Sequence, residues 1–174
     1  MKKDVAVFPG SFDPFTRAHE ELLREASRFF KVVVLICVNP NKGGGMFSIE
    51  ERKTMILNHI VENNEFIGVD VCTGITTEYC RLHKINYIIR GIQYKNAAEE
   101  LDLSHIYYEE NGIKTVFFPT YDRDYENVSS TRVRAYINYN VQNEGHGLYL
   151  WKNYVPTRNR EYIMRWIERK IENV

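Results

Sequence analysis

The chain has 174 residues, of which 44% are hydrophobic and 13% aromatic, enough for one domain with a substantial core spanning 1–174 and no need of a second. Lys plus Arg and Asp plus Glu both number 23, so there is no global basic field to hold nucleic acid, and any phosphate recognition must come from local cations. Cys37, Cys72 and Cys80 lack metal-ligand spacing, no signal peptide precedes Val5, and no apolar run nears the roughly 20 residues of a membrane span, which together predict a soluble cytoplasmic protein without a membrane partner.

The first apolar run, residues 5–8, predicts a buried strand stopped by Pro9 and Gly10. It feeds Ser11-Phe12-Asp13-Pro14-Phe15-Thr16-Arg17-Ala18-His19, which enters a helix predicted over 18–30. The first N–H groups of a helix lack partners and carry the positive end of its dipole, so a Gly/Ser turn leading into one suits a phosphate, and His19 adds a further donor. On local physics alone the same residues read equally as a tight turn followed by a surface histidine.

Residues 32–38 form a second, continuously apolar run, which points to a strand covered on both faces and to a buried Cys37 thiol. Asn39-Pro40-Asn41-Lys42-Gly43-Gly44-Gly45 follows, a Gly-rich loop that either closes Lys42 over a ligand or leaves it solvated. Ser48 and Glu51 have capping-box spacing before a helix predicted over 49–61. A strand at 66–71 and a helix at 77–82 precede the strand 87–89, which runs into Arg90-Gly91-Ile92-Gln93. An arginine there is placed for bidentate phosphate binding, with Gly91 permitting close approach, or else for pairing with a local carboxylate.

Asn96 and Glu99 repeat the capping-box spacing before a helix over 97–110, and 115–118 is the fifth strand. After an irregular stretch at 121–128, Ser129, Ser130 and Thr131 open a helix, where they cap it, offer donors to a phosphate, or both. The remainder, from about 135, reads as a helical tail ending in a helix over 158–172, with Ile163, Trp166, Ile167 and Ile171 on one stripe. Tyr149, Trp151 and Tyr154 before it either cover the core or meet another subunit, and His59, His83, His105 and His146 read as structural or solvated. Repeated βα order with apolar strands implies an α/β fold, a doubly wound, Rossmann-like five-stranded parallel sheet with helices on both faces and its ligand site beyond the carboxyl ends of the strands.

The run from Pro9 to His19 resembles the first signature of the HxGH/TxGH nucleotidyltransferases, with Thr16 at the first position and Ala18 in place of the usual glycine. Pro40-Asn41-Lys42, Met46-Phe47-Ser48-Ile49-Glu50-Glu51-Arg52, Ile89-Arg90-Gly91-Ile92, Thr115-Val116-Phe117, Val128-Ser129-Ser130 and Val155-Pro156 extend the likeness over nearly the whole chain, and it is closest to the phosphopantetheine adenylyltransferase family. The resemblance implies transfer of AMP from ATP to 4′-phosphopantetheine, giving dephospho-coenzyme A and pyrophosphate, with Mg²⁺ carried on the ATP phosphates and a homohexameric assembly. His19, Lys42 and Arg90 would be the catalytic groups. ATP would meet Ser11, Phe12, His19, Gly91, Ile92, Gln93, Glu100, Tyr125, Ser129, Ser130 and Thr131; the phosphorylated acceptor would meet Ser11, Lys42, Thr76 (beside Ile75) and Arg90.

Gln93 stands where relatives carry a cation, Tyr107 where they carry Asn, and the altered run 96–100 leaves Glu99 and Glu100 in competition for the ribose. Ser129-Ser130-Thr131-x-Val133-Arg134 is closer to the nicotinate or nicotinamide mononucleotide adenylyltransferases, which would make the acceptor a nucleotide. A cytidylyltransferase fits the Ile89-Arg90-Gly91-Ile92 segment less well, and a non-catalytic nucleotide-binding regulator on the same sheet would account for Ala18 and Gln93.

Overall fold

A computed structural model describes residues 3–38, 44–58, 66–93, 96–119 and 128–173. Five strands, β1 (Val5–Gly10), β2 (Lys31–Cys37), β3 (Phe66–Cys72), β4 (Tyr87–Ile92) and β5 (Lys114–Pro119), form one all-parallel sheet in the order β3-β2-β1-β4-β5. The order reverses between β1 and β4, so the crevice that this topology opens for a ligand lies where the chain leaves those two strands.

The helices are α1 (Arg17–Ala26), α2 (Ile49–Leu57), α3 (Thr76–Leu82), α4 (Ala97–Asn111), α5 (Ser130–Gln142) and α6 (Thr157–Glu172), with a short 3-10 turn at Leu150–Asn153. Alternation along β2 divides them. Val32, Val34 and Ile36 face a large core with Leu23 of α1, Met55 and Ile56 of α2, Val133 and Ile137 of α5, and Ile163, Trp166 and Ile167 of α6. Leu35 faces the other side, with Val7, Ile88, Cys72, Ile85, Ile113 and Cys80 of α3. The stripe on α6 and the fully buried Trp151 thus belong to the same core as the sheet.

Two strands run further than their apolar cores suggest. Pro9 and Gly10 stay in β1, in register with Leu35 and Ile36; Pro9 is tolerated because the ladder between β1 and β4 ends at Val7. Arg90, Gly91 and Ile92 lie within β4, opposite Phe117, Phe118 and Pro119, and not in a following loop. Gly91 serves packing: a Cβ there would sit 2.8 Å from Cδ1 of Leu22 on α1.

The capping box at Ser48 and Glu51 forms, with Oγ accepting the Glu51 N–H at 3.2 Å and Oε2 accepting the Ser48 N–H at 2.8 Å. The one expected at Asn96 does not: Asn96 makes no side-chain cap bond to α4, and its Oδ1 accepts the Gln93 N–H at 2.8 Å, bracing the exit of β4 instead. α1 begins a residue before the expected start and stops at Ala26, with Ser27 as its C-cap. The predicted extension of α2 past residue 58, including His59, falls outside the described residues.

Candidate active site

His19 is fixed by an unexpected cap. Thr16, at the N-cap of α1, accepts the His19 N–H through Oγ1 at 3.4 Å, and the imidazole reaches back so that Nδ1 accepts the Thr16 N–H at 3.0 Å. With Nδ1 an acceptor, the neutral ring carries its proton on Nε2 and can donate it away from the helix. Rings of Phe12 and Phe15, with centroids 5.0 and 5.6 Å from the imidazole, and Phe8 at 6.2 Å, enclose it. Burial in this surrounding pushes the imidazolium down to about 4 from 6.5.

His19 is therefore a neutral donor at physiological pH. Between pH 6.5 and 4 the unfolded chain takes up this proton and the folded one does not, so stability falls as pH drops through that window. The ¹⁵N spectrum is expected to show the neutral Nε2–H tautomer at about pH 6. An imidazolium signal there would contradict the assignment.

Phe12 is 1% exposed and packs edge-on against Phe8, 5.2 Å between centroids. Its ring is packed inside the protein, and its main chain takes a left-handed conformation, φ 47°. Ser11 is exposed at the cleft wall. At the start of α5, Ser129 accepts the Arg132 N–H at 3.2 Å, Ser130 Oγ donates to the Pro14 carbonyl at 2.9 Å, and Thr131 Oγ1 accepts from Arg134 Nη2 at 3.0 Å. Of these hydroxyls, Ser130 fastens α5 to the loop after β1, while those of Ser129 and Thr131 bond within the first turns of α5, whose N-terminal N–H groups carry the positive end of its dipole.

Arg90 takes the second of its two expected arrangements. Its Nε and Nη2 donate to Glu100 Oε2 and Oε1 at 2.7 and 2.6 Å, a bidentate pair with side chains 28% and 12% exposed. The hydrogen bonds that the guanidinium donates to Glu100 raise its pKa further. Glu100 is occupied by this arginine, which takes up the carboxylate expected at a ribose, while Glu99 points to solvent. This pair uses two of the five guanidinium N–H bonds. Gln93 commits its N–H to Asn96 Oδ1.

Thr76 opens α3 with Oγ1 3.7 Å from the Cys37 Sγ, at the ends of β3 and β2 respectively. Cys37 is half-buried, not fully buried, because it is the last residue of β2, where the sheet opens into the cleft. Burial still pushes its thiol pKa up. Lys42 and Tyr125 lie outside the described residues.

A cleft of about 1090 Å³ opens between the ends of β1 and β2 and α6, lined by Ser11, Cys37, Gly45, Arg52, Arg134 and Arg169 but by neither His19 nor Arg90. Its floor holds three residues that the sequence reading left without a role. Asp13 lies 3.4 Å from Arg52 and 3.8 Å from Arg134, leaving two guanidinium groups against one buried carboxylate and a net positive wall. All three sit inside matched motifs, at 13, 52 and 134, but contacts spanning 39 and 121 positions have no local signal. Ser11, His19, Thr76, Arg90 and Ser130 are thus gathered at the C-terminal rim of the sheet, and Phe12 is turned inward.

Comparison with known proteins places the chain in a family. A family model described as cytidylyltransferase-like matches residues 7–136. A phosphopantetheine adenylyltransferase of Clostridium perfringens is 35% identical over 155 residues, 87% of this chain and 88% of the relative. One of Corynebacterium efficiens is 34% identical over 136 residues, covering 77% and 84%. Among solved structures, nicotinic acid mononucleotide adenylyltransferase of Plasmodium falciparum, complexed with NaAD, superposes with a TM-score of 0.60 at 18% identity over 94% of this chain and 96% of that one, a likeness of fold.

Proposed function

Because the chain belongs to the cytidylyltransferase-like family and, within it, to the phosphopantetheine adenylyltransferases, we propose that it transfers AMP from ATP to 4′-phosphopantetheine, releasing pyrophosphate and giving dephospho-coenzyme A. An acceptor phosphate oxygen attacks the α-phosphorus, a P–O bond forms, and the bond to the β-phosphate oxygen breaks. The nucleophile is already an anion, so no general base is required and the protein must position and neutralise. The carrying observation is the caged, neutral imidazole of His19, whose Nε2–H is aimed away from its cap at the end of β1.

In this reading His19 donates to the α-phosphate as charge builds there, and the start of α5 and the N–H groups of Arg90 outside its pair with Glu100 hold the triphosphate and acceptor. Ser11, Thr76 and the Gly44–Phe47 wall border the acceptor, with Lys42 supplying a further cation, and Gly91, Ile92, Gln93 and Tyr125 border the nucleoside. Mg²⁺ enters on the triphosphate, neutralising its oxygens; the arginine-rich wall fits an anion that remains charged after binding the ion. Chelation by EDTA is expected to stop turnover and added Mg²⁺ to restore it. Full activity in EDTA would remove the metal from the scheme.

Assembly as a homohexamer in the cytoplasm is part of the proposal. It is supported by α4, which buries none of its residues and exposes Leu101, Ile106 and Tyr108. No helix among the described residues is long and apolar enough to cross a membrane. The second reading, a nicotinate mononucleotide acceptor, is favoured by the Ser129-Ser130-Thr131-x-Val133-Arg134 run. Pyrophosphate release measured with each acceptor against ATP and CTP separates them: turnover is expected with 4′-phosphopantetheine and ATP, and turnover with nicotinate mononucleotide alone would overturn the assignment.

A further inference from the structure

The wall formed by Gly44 to Phe47 hangs on one side chain. Asp13 is 4% exposed; its Oδ2 accepts the Met46 N–H at 3.0 Å and its Oδ1 accepts the Phe47 N–H at 2.9 Å. Arg52, itself 6% exposed, completes the fastening, with Nε 3.4 Å from Oδ1 and donating to the Phe47 carbonyl at 2.8 Å, and Nη1 donating to the Ser11 carbonyl at 3.3 Å. Gly45 passes so close that a Cβ there would collide with the Asp13 carboxylate and the Arg52 guanidinium.

The helix on the other side of the loop is attached chiefly through different atoms. Arg134 Nη1 donates to the main-chain carbonyl of Asp13 at 2.6 Å, and Ser130 Oγ to that of Pro14 at 2.9 Å. Among the described residues, the carboxylate contact from that side is the longer one, 3.8 Å from Arg134.

We propose that Asp13 is a positioning residue that sets the acceptor wall of the cleft in register with the nucleotide wall: its carboxylate holds residues 44–47, and its main chain holds α5. The inference rests on the adenylyl-transfer reading, in which the Gly44–Phe47 wall borders the acceptor. Because the two attachments use different atoms, they can be separated by substitution. Asp13→Asn keeps the size and the main-chain carbonyl but turns one oxygen into an NH₂ donor facing a backbone N–H, so a buried bond to the 44–47 loop is lost and the attraction to Arg52 weakens. The bonds from Arg134 and Ser130 to main-chain carbonyls remain.

Steady-state kinetics with both substrates varied tests this. For Asp13→Asn the acceptor KM is expected to rise about 10-fold or more while the ATP KM changes by less than about twofold; Ser130→Ala, which loosens α5, is expected to reverse the split. If Asp13→Asn does not fold, Gly45→Ala presses on the same contact without altering a charge and is expected to show the acceptor-side split. Equal changes in both KM values, or a fall in kcat alone, would overturn the role of Asp13. Absence of turnover in the unsubstituted protein would instead overturn the activity on which the inference rests.

Discussion

Replacing His19 by Ala will lower the rate of adenylyl transfer about 10²–10³-fold, the loss typical of removing one donor aimed at a developing oxyanion. The size of the effect follows from two properties of the ring. It is neutral, so it contributes a directed N–H and not a bulk charge that neighbouring arginines could replace, and its Nδ1 is locked by the Thr16 N–H. His19→Ala also removes half of the α1 capping box, costing about 1 kcal/mol of stability. His19→Asn separates the two effects, since its Oδ1 can still accept from Thr16 while nothing occupies the Nε2 position. Pyrophosphate release is expected to be equally slow in both variants, with thermal unfolding cooperative in both; near-native turnover in either would remove His19 from the chemistry.

Arg90→Ala is the second large effect, and it falls on stability and turnover together. Deleting the guanidinium strands Glu100, whose carboxylate is 12% exposed and gives both oxygens to Arg90. Breaking such a pair from one side costs about 3–5 kcal/mol when fully buried; with Arg90 28% exposed, solvent screening reduces this to about 2–3 kcal/mol, a Tm fall of roughly 4–12 °C for a chain of this length. Removing Glu100 as well should return most of the lost stability but not the activity, because the N–H groups of Arg90 outside that pair go with its side chain. Differential scanning calorimetry and pyrophosphate release on Arg90→Ala, Glu100→Ala and the double variant measure both parts. If the double variant recovers turnover along with its Tm, Arg90 is only a structural partner of Glu100.

The sheet was legible in the sequence because its signal is local. Continuous apolar runs such as Val32 to Ile36 can be buried on both faces only in a covered parallel sheet, and the βα order followed. Strand ends were less legible, since Pro9, Gly10 and Arg90 to Ile92 owe their strand conformation to ladder partners elsewhere in the chain. The resemblance located the rim residues, but it could not say which polar atoms are already committed. Ser130 is engaged by the Pro14 carbonyl, Phe12 is buried, and Glu100 is held by a residue ten positions away, each decided by tertiary contacts, while Thr131 is taken up by Arg134 one turn along the same helix. The Asp13–Arg52–Arg134 cluster was least legible, because the charge of each residue suits a solvated surface until the fold brings them together. α4 shows the same limit from the other side: its helical pattern was clear, yet it buries none of its residues in the single chain.

Attack at the α-phosphorus of ATP is the central step of the proposed reaction, and the fate of labelled phosphorus measures it directly. With ATP labelled at the α-position and 4′-phosphopantetheine, the label is expected in the adenylylated acceptor, while label from the β- or γ-position leaves in pyrophosphate, with one pyrophosphate formed per acceptor consumed. Label from the γ-position appearing in the acceptor, with ADP as the second product, would mean phosphoryl transfer instead and would contradict the account.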